Sequence, residues 1–419
     1  MSHLLDKVIQ AQKNGKVIGI TSICSAHPWV LETALKGDGP VLIESTCNQV
    51  NQFGGYTGMM PKVFASFVRG IADQNGFPSS RLILGGDHLG PSPWQSEPAE
   101  VAMQKAIKLV DAYVNAGYTK IHLDASMKLG GDDLSKPLDR QLIAQRTAML
   151  AKAALDCVDT DQTIRFVIGS EVPVPGGAIG LDEEIRVTTI DEANQTIEMT
   201  RAAFIDRGLQ AAWDRVLAMV VQPGVEFGDD FIHAYDPGVA QGLAQFVENT
   251  PFIFEAHSTD YQSMECLQAL VQDHFAILKV GPALTFAFRE AVFALTMIEA
   301  ELIEKEQRSH LVEILETVML KEPHYWQKYY HGTEQELAFK RKFSLSDRSR
   351  YYWSHPEMQL ALDILIRNLD NLNIPYSLIG QYLPDMVDGI HSGLIKSLSA
   401  EIINHRIRSV LDDYAFACG

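Results

Sequence analysis

Leu82-Ile83-Leu84-Gly85-Gly86-Asp87-His88-Leu89-Gly90-Pro91 passes from an apolar run through two glycines to an Asp-His pair. A run of this kind is a strand buried along its length whose tip is polar, and glycines at the tip let the backbone turn tightly or let a ligand approach. Working outward, seven other segments repeat the pattern. Val17 to Cys24 leads into Ser25 and His27, and Val41 to Ile43 ends on Glu44. Ile121 to Leu123 contains His122 and stops at Asp124, Phe166 to Ile168 stops at Glu171, and Leu217 to Val221 stops at Gln222. Phe252 to Phe254 ends in Glu255 and His257, and Ile277 to Val280 carries Lys279 before Gly281. Segments of helical periodicity lie between the runs, at 62–73, 99–114, 140–154, 190–207 and 240–247.

Strand and helix thus alternate eight times, which fits an open doubly wound sheet or a closed barrel. Eight units in about 285 residues match the size of a barrel, typically about 250. No Gly-x-Gly-x-x-Gly follows the first run, so nothing favours a dinucleotide-binding sheet. The expected fold is an α/β (β/α)8 TIM barrel over residues 1–302 with a mainly helical C-terminal extension over 303–419. That extension is rich in Tyr, Trp, Arg and Lys, as in Pro323-His324-Tyr325-Trp326 and Arg348-Ser349-Arg350-Tyr351-Tyr352-Trp353, a composition of packing surfaces or subunit interfaces. An oligomer is expected.

A formal charge of -18 excludes nucleic acid and anionic membranes as partners. No apolar stretch approaches the roughly 18 residues that cross a bilayer, and no basic-then-apolar leader opens the chain, so a cytoplasmic protein is expected. The five cysteines lack the paired spacing of a zinc knuckle or a disulfide framework.

His88 and His257, with Glu171, come from the tips of three separate strands and form a candidate site for a divalent metal, Zn or Mn. Asp87, Glu44 and Asp124 are candidate proton carriers. His122 and Asp124 face one side of a strand, so a structural pair competes with catalysis there, and Glu44 can instead pair with Lys279 across the barrel. A Schiff-base role for Lys279 is disfavoured by the carboxylates near it, since they oppose a depressed pKa. The polar, glycine-rich stretch 48–58, with Asn48 and Gln49, suits a polyol, as does Gln222 at its strand tip. Ser258, Thr259 and Gly281 end the last two strands, where barrels commonly hold a phosphate on backbone N–H groups, and with Lys279 they are candidate substrate- or phosphate-binding residues.

The strings Cys24-Ser25-Ala26-His27-Pro28, 48–58, 85–91, Glu171-Val172-Pro173-Val174-Pro175-Gly176-Gly177, 221–227, 254–262, 276–290 and Gln381-Tyr382-Leu383-Pro384 carry a resemblance over nearly the whole chain. The chain closely resembles the Z subunits (GatZ/KbaZ type) of bacterial D-tagatose-1,6-bisphosphate aldolases. The resemblance implies a non-catalytic, stabilising subunit for a zinc-dependent class II aldolase Y subunit, in galactitol or N-acetylgalactosamine catabolism. Some relatives carry the label tagatose-6-phosphate kinase, for which the chain has no Walker-type loop. Others resemble metal-dependent 4-epimerases that interconvert phosphorylated ketohexoses, fructose 6-phosphate and tagatose 6-phosphate. Asp87-His88, His122, Glu171 and His257 parallel the positions where class II aldolase barrels carry their proton carrier and metal ligands.

Overall fold

The structure, a computed structural model, describes residues 3–158, 163–169 and 185–419. Eight parallel strands close into a barrel: β1 (Ile20–Ile23), β2 (Val41–Thr46), β3 (Leu82–Leu89), β4 (Lys120–Leu123), β5 (Arg165–Ile168), β6 (Val216–Val220), β7 (Ile253–Ala256) and β8 (Phe275–Val280), with β8 returning to β1. This is the expected (β/α)8 fold with helices outside it. The helices start where side chains satisfy the free N–H groups of their first turns. Asp139 caps Arg140–Asp156, Thr189 and Glu192 form a capping box on Ile190–Asp206, and Asp236 caps Pro237–Glu248. No helix among the described residues is long and apolar enough to cross a membrane.

The barrel interior is layered by the two-residue period of its strands. At the N-terminal ends of the strands, Ile20, Leu42, Ile83, Val167, Ala218, Ile253 and Ile277 form an apolar cluster. Leu5 and Val8, on a helix Leu4–Lys13 that the sequence reading did not include, complete this cluster. Asp6 of the same helix holds Arg165 at the foot of β5 (2.7 Å), so the helix stoppers the barrel. Two residues further along the strands, at Glu44, Glu255 and Lys279, the interior turns ionic.

The first strand is shorter than its apolar run: Val17 is exposed, and the Gly19 N–H donates to the Cys418 carbonyl instead of to a neighbouring strand (2.9 Å). The long C-terminal helix Ser399–Cys418 packs on Pro282–Leu302, Met264–Gln272 and Pro28–Ala34, the helices flanking the closure of the barrel. Its Tyr414 hydroxyl reaches Thr259 at the end of β7 (2.9 Å). Trp326, Tyr330, Tyr352 and Trp353 are buried within the chain, so of the two readings of that aromatic density, internal packing accounts for these four.

Candidate metal centre

The middle of the barrel is a buried ion network. Lys120 Nζ lies 2.7 Å from Glu44 Oε1 and 2.6 Å from Glu255 Oε2. Lys279 Nζ lies 2.7 Å from Glu44 Oε2 and 2.5 Å from Asp87 Oδ1. Glu44 thus bridges two lysines and does not line the cavity. Gly85 makes room for it, since a Cβ there would fall 2.8 Å from the Glu44 carboxylate. The lysine ammonium groups stay charged. Burial alone would lower Lys279, but Asp87 and the other anions around it hold it well above the ordinary range.

Above this network sit three histidines, each turned to its own carboxylate. Successive strand residues normally face opposite ways, yet Asp87 and His88 both enter the barrel. A bulge explains it: the β3–β4 register shifts between Gly86 and Leu89, and His88 has a left-handed backbone (φ 48°). Gly90 then passes against the Asp124 carbonyl so closely that any Cβ would overlap it.

His88 Nδ1 lies 2.9 Å from Asp124 Oδ2, His122 Nδ1 2.9 Å from Asp87 Oδ1, and His257 Nε2 2.9 Å from Glu255 Oε1. The expected His122–Asp124 pair is therefore crossed over, because the bulge brings Asp87 under His122 and His88 over Asp124. Burial alone would raise Asp87, Asp124 and Glu255, but the neighbouring histidines and lysines overcome it and keep all three ionised. Each carboxylate accordingly accepts an N–H from its histidine. His122 Nδ1 also lies 3.2 Å from the His88 backbone N–H; the ionised carboxylate is nearer and the stronger partner, so Nδ1 carries the proton.

With each imidazole neutral, as it is when it binds a metal, this pattern leaves its other ring nitrogen without a proton to donate, as in carboxylate–histidine–metal triads. His122 Nε2 is buried and without a hydrogen-bond partner among the described residues. One ligand atom each from Asp87, His88, His122 and His257 lies within 4.8 Å of the others, a cluster able to hold a metal ion. Four interior carboxylates (Glu44, Asp87, Asp124, Glu255) face two lysines (Lys120, Lys279), so with neutral histidines the site is short of two positive charges. The same excess outweighs burial and raises His88 above its ordinary value.

A cavity of about 700 Å³ opens above the cluster. Asn48, Gln49, Asp87, His88, His257, Ser258, Lys279 and Gly281 line it. Gln49 is held by the Thr46 N–H (2.8 Å) and the Cys24 carbonyl (3.3 Å), whereas Asn48 is exposed to the cavity. Four expected site residues stand elsewhere. Asp124 is behind His88, Glu44 is below Asp87, and Gln222 Oε1 is taken by the Gly224 N–H (2.8 Å). The Thr259 hydroxyl donates to the Lys279 carbonyl (2.7 Å) and is fully buried, away from the cavity. Glu171 lies outside the described residues.

Over residues 5–419 the chain matches the profile of the family described as D-tagatose-1,6-bisphosphate aldolase subunit GatZ/KbaZ-like. The chain belongs to the GatZ/KbaZ-like family. It is 50% identical to the D-tagatose-1,6-bisphosphate aldolase subunit GatZ of Salmonella heidelberg, over 99% of each chain, and 50% identical to that of Salmonella typhimurium. A crystal structure titled as a probable tagatose 6 phosphate kinase from Sinorhizobium meliloti superposes with a TM-score of 0.88 at 45% identity, covering 96% of this chain and all of that one.

For this GatZ/KbaZ-like chain, sequence reasoning missed two parts of the site. Lys120 was overlooked although Lys120, His122 and Asp124 share one strand face at a spacing of two, a visible sign of a polar barrel interior. The second omission is larger: His324, Tyr325, Lys328, Arg348, Arg350 and Tyr351 of the C-terminal region form a wall of the cavity. Tyr325 stacks on Tyr351 (4.7 Å), and Tyr56 from the loop after β2 packs edge-on against Tyr351 (4.7 Å).

Proposed function

We propose that this chain is the Z subunit of a heteromeric D-tagatose-1,6-bisphosphate aldolase, partnered by a class II Y subunit. We further propose that its barrel mouth holds a divalent cation, Zn or Mn, beneath a phosphorylated ketohexose. The relatives named above support the subunit role. The observation that carries the metal is the set of three histidines, each spending one nitrogen on a carboxylate, with His122 Nε2 left buried and unpartnered among the described residues. His88, His122 and His257 would be the ligands, with Asp87 beside them, a donor set that suits a borderline cation and leaves positions open. Such a cation, when bound, polarises a sugar carbonyl or hydroxyl. Asp87, kept ionised by His88, Lys279 and His122, accepts a hydrogen bond from a sugar hydroxyl; Lys120 and Glu44 hold that arrangement from below. Asn48 orients the polyol.

A second reading, a metal-dependent 4-epimerase of ketohexose phosphates, is favoured by one observation: every group of the described cluster comes from this single chain. A purely stabilising, non-catalytic role requires none of them. The test is to purify the chain alone, measure its metal content, and incubate it with fructose 6-phosphate and with tagatose 6-phosphate, then with a class II aldolase. About one cation per chain is expected, with retention lowered at least tenfold in His122→Ala. Interconversion without the partner would establish the epimerase; no turnover together with activation of the aldolase would establish the subunit alone. A chain that binds no cation and leaves the aldolase unchanged would refute both.

A further inference from the structure

The backbone amides that end β8 are not available to a phosphate. Asp260 Oδ1 accepts the Gly281 N–H at 2.9 Å and the Ala283 N–H at 2.8 Å. The Gly281 end of the cradle expected at Ser258, Thr259 and Gly281 therefore already holds a carboxylate, buried in the protein, and a second anion there would meet the two occupied donors of Gly281 and Ala283 and a like charge. Burial raises Asp260 to about 6, which leaves it mostly ionised at neutral pH.

Positive charge stands instead on the C-terminal wall. Arg348 is 5% exposed, its guanidinium lies over the Tyr329 ring, its Nη1 donates to the Tyr325 carbonyl (3.0 Å), and its Nε has no partner among the described residues. Arg350 donates only to neutral oxygens: the Ser346 carbonyl, the Asp347 carbonyl (2.9 Å) and the Tyr351 hydroxyl (2.9 Å). Among the described residues no carboxylate pairs with either guanidinium. The adjacent Asp347 side chain is spent on Arg289 (3.3 Å), Thr285 (2.5 Å) and Ser349 (2.6 Å). Lys328, also on this wall, makes no ion pair among the described residues and lies near the Tyr329 ring. Three cations thus border one cavity without contacting an anion, and a nearly buried guanidinium lacking a counter-ion is costly unless an incoming group supplies the charge. Arginine forks suit a phosphate in particular.

We propose that Arg348, Arg350 and Lys328 form an anion site that takes the phosphate of a ketohexose phosphate, replacing the amide cradle usual at the end of a barrel's last strands. The proposal rests on the reading that the cavity takes a phosphorylated sugar, and it assigns the charged end of that sugar to the extension and the reacting end to the barrel. It also gives the extension a task in the site: closing the mouth with the group that recognises substrate.

Isothermal titration of the full chain with fructose 6-phosphate, inorganic phosphate and unphosphorylated fructose tests it. The wild type is expected to bind both phosphate probes, more weakly as salt rises, and fructose far less well. Losing one charge-assisted contact in Arg350→Gln should weaken fructose 6-phosphate about tenfold to a hundredfold and leave fructose unchanged. Arg348→Gln should do the same; if it fails to fold, the exposed Lys328→Gln, with a loss of a few fold, and Arg350→Lys carry the comparison. Wild-type binding retained in the Arg350 and Lys328 variants, or no phosphate binding by the wild type, overturns the proposal. The reading above fails separately: a chain with no metal and no effect on the aldolase, yet binding phosphate through Arg350, would sink that reading and keep this site.

Discussion

At the scale of a residue, Lys120 shows what the barrel interior costs. Its ammonium group is fully buried between Glu44 and Glu255, and their charges outweigh burial and raise its pKa. A buried ion pair gives little net stability, but removing one partner strands the other's charge in a low dielectric. Lys120→Met keeps the stem and deletes the charge, leaving Lys279 as the one remaining lysine for Glu44, Asp87 and Glu255. We expect a loss of about 3 kcal/mol in urea unfolding, with part of it recovered in the double variant with Glu44→Gln. A loss below about 1 kcal/mol would mean that the carboxylates simply take up protons and that the network is not rigid.

At the scale of an element, the N-terminal helix acts as a stopper because two of its residues finish a layer that the strands leave incomplete. Leu5 is fully buried in the cluster with Ile20, Ile83 and Ile277. Leu5→Ala should cost about 2–5 kcal/mol by transfer and cavity terms, read as a lower denaturation midpoint with an unchanged slope. The eight strands were legible because burial on both faces writes an apolar run and a polar tip into each one. The helix Leu4–Lys13 was passed over although Leu4, Leu5, Val8 and Ile9 recur at helical spacing; what the sequence does not show is that a helix before the first strand closes the foot of the barrel. The site was legible as a set of strand tips: His88 and His257 do meet, and Asp87 stands with them. Their partners were not, because the crossed pairing of His122 with Asp87 depends on a one-residue bulge, and no spacing in the sequence reveals a bulge. The cavity wall from the extension depends on contacts between residues nearly 300 positions apart, such as Tyr56 with Tyr351. Arg348 and Arg350 could be seen as cations in an acidic chain, but not where they would face.

At the scale of the whole molecule, buried titratable groups set how the fold responds to acid. Burial, and then Arg165, lowers His3 to about 4; burial lowers His27 to about 3, its ring against Phe288 (4.3 Å). A histidine near 6.5 when unfolded but lower when folded takes up a proton on unfolding, so its stabilising contribution is present above pH 6.5 and is lost as pH falls toward the folded value. Asp260 works in the opposite sense. Raised to about 6 by burial, it is protonated in the fold before it is in the unfolded chain, and so adds stability as pH falls from 6 to about 4. His257, lowered to about 3 chiefly by burial, acts in the same sense as His3 and His27 over this range, whereas the raised His88 contributes only above pH 6.5. With His3, His27 and His257 each taking up a proton on unfolding and Asp260 releasing one, the net is two, so between about pH 6 and 5 stability should fall by about 2.7 kcal/mol per pH unit. Asp260→Asn removes the opposing term and should steepen that slope by about half, whereas His27→Phe, which keeps a ring against Phe288, should roughly halve it. Urea midpoints at half-unit steps from pH 7 to 4 measure all three chains, and equal slopes in them would mean that neither His27 nor Asp260 is shifted by its burial.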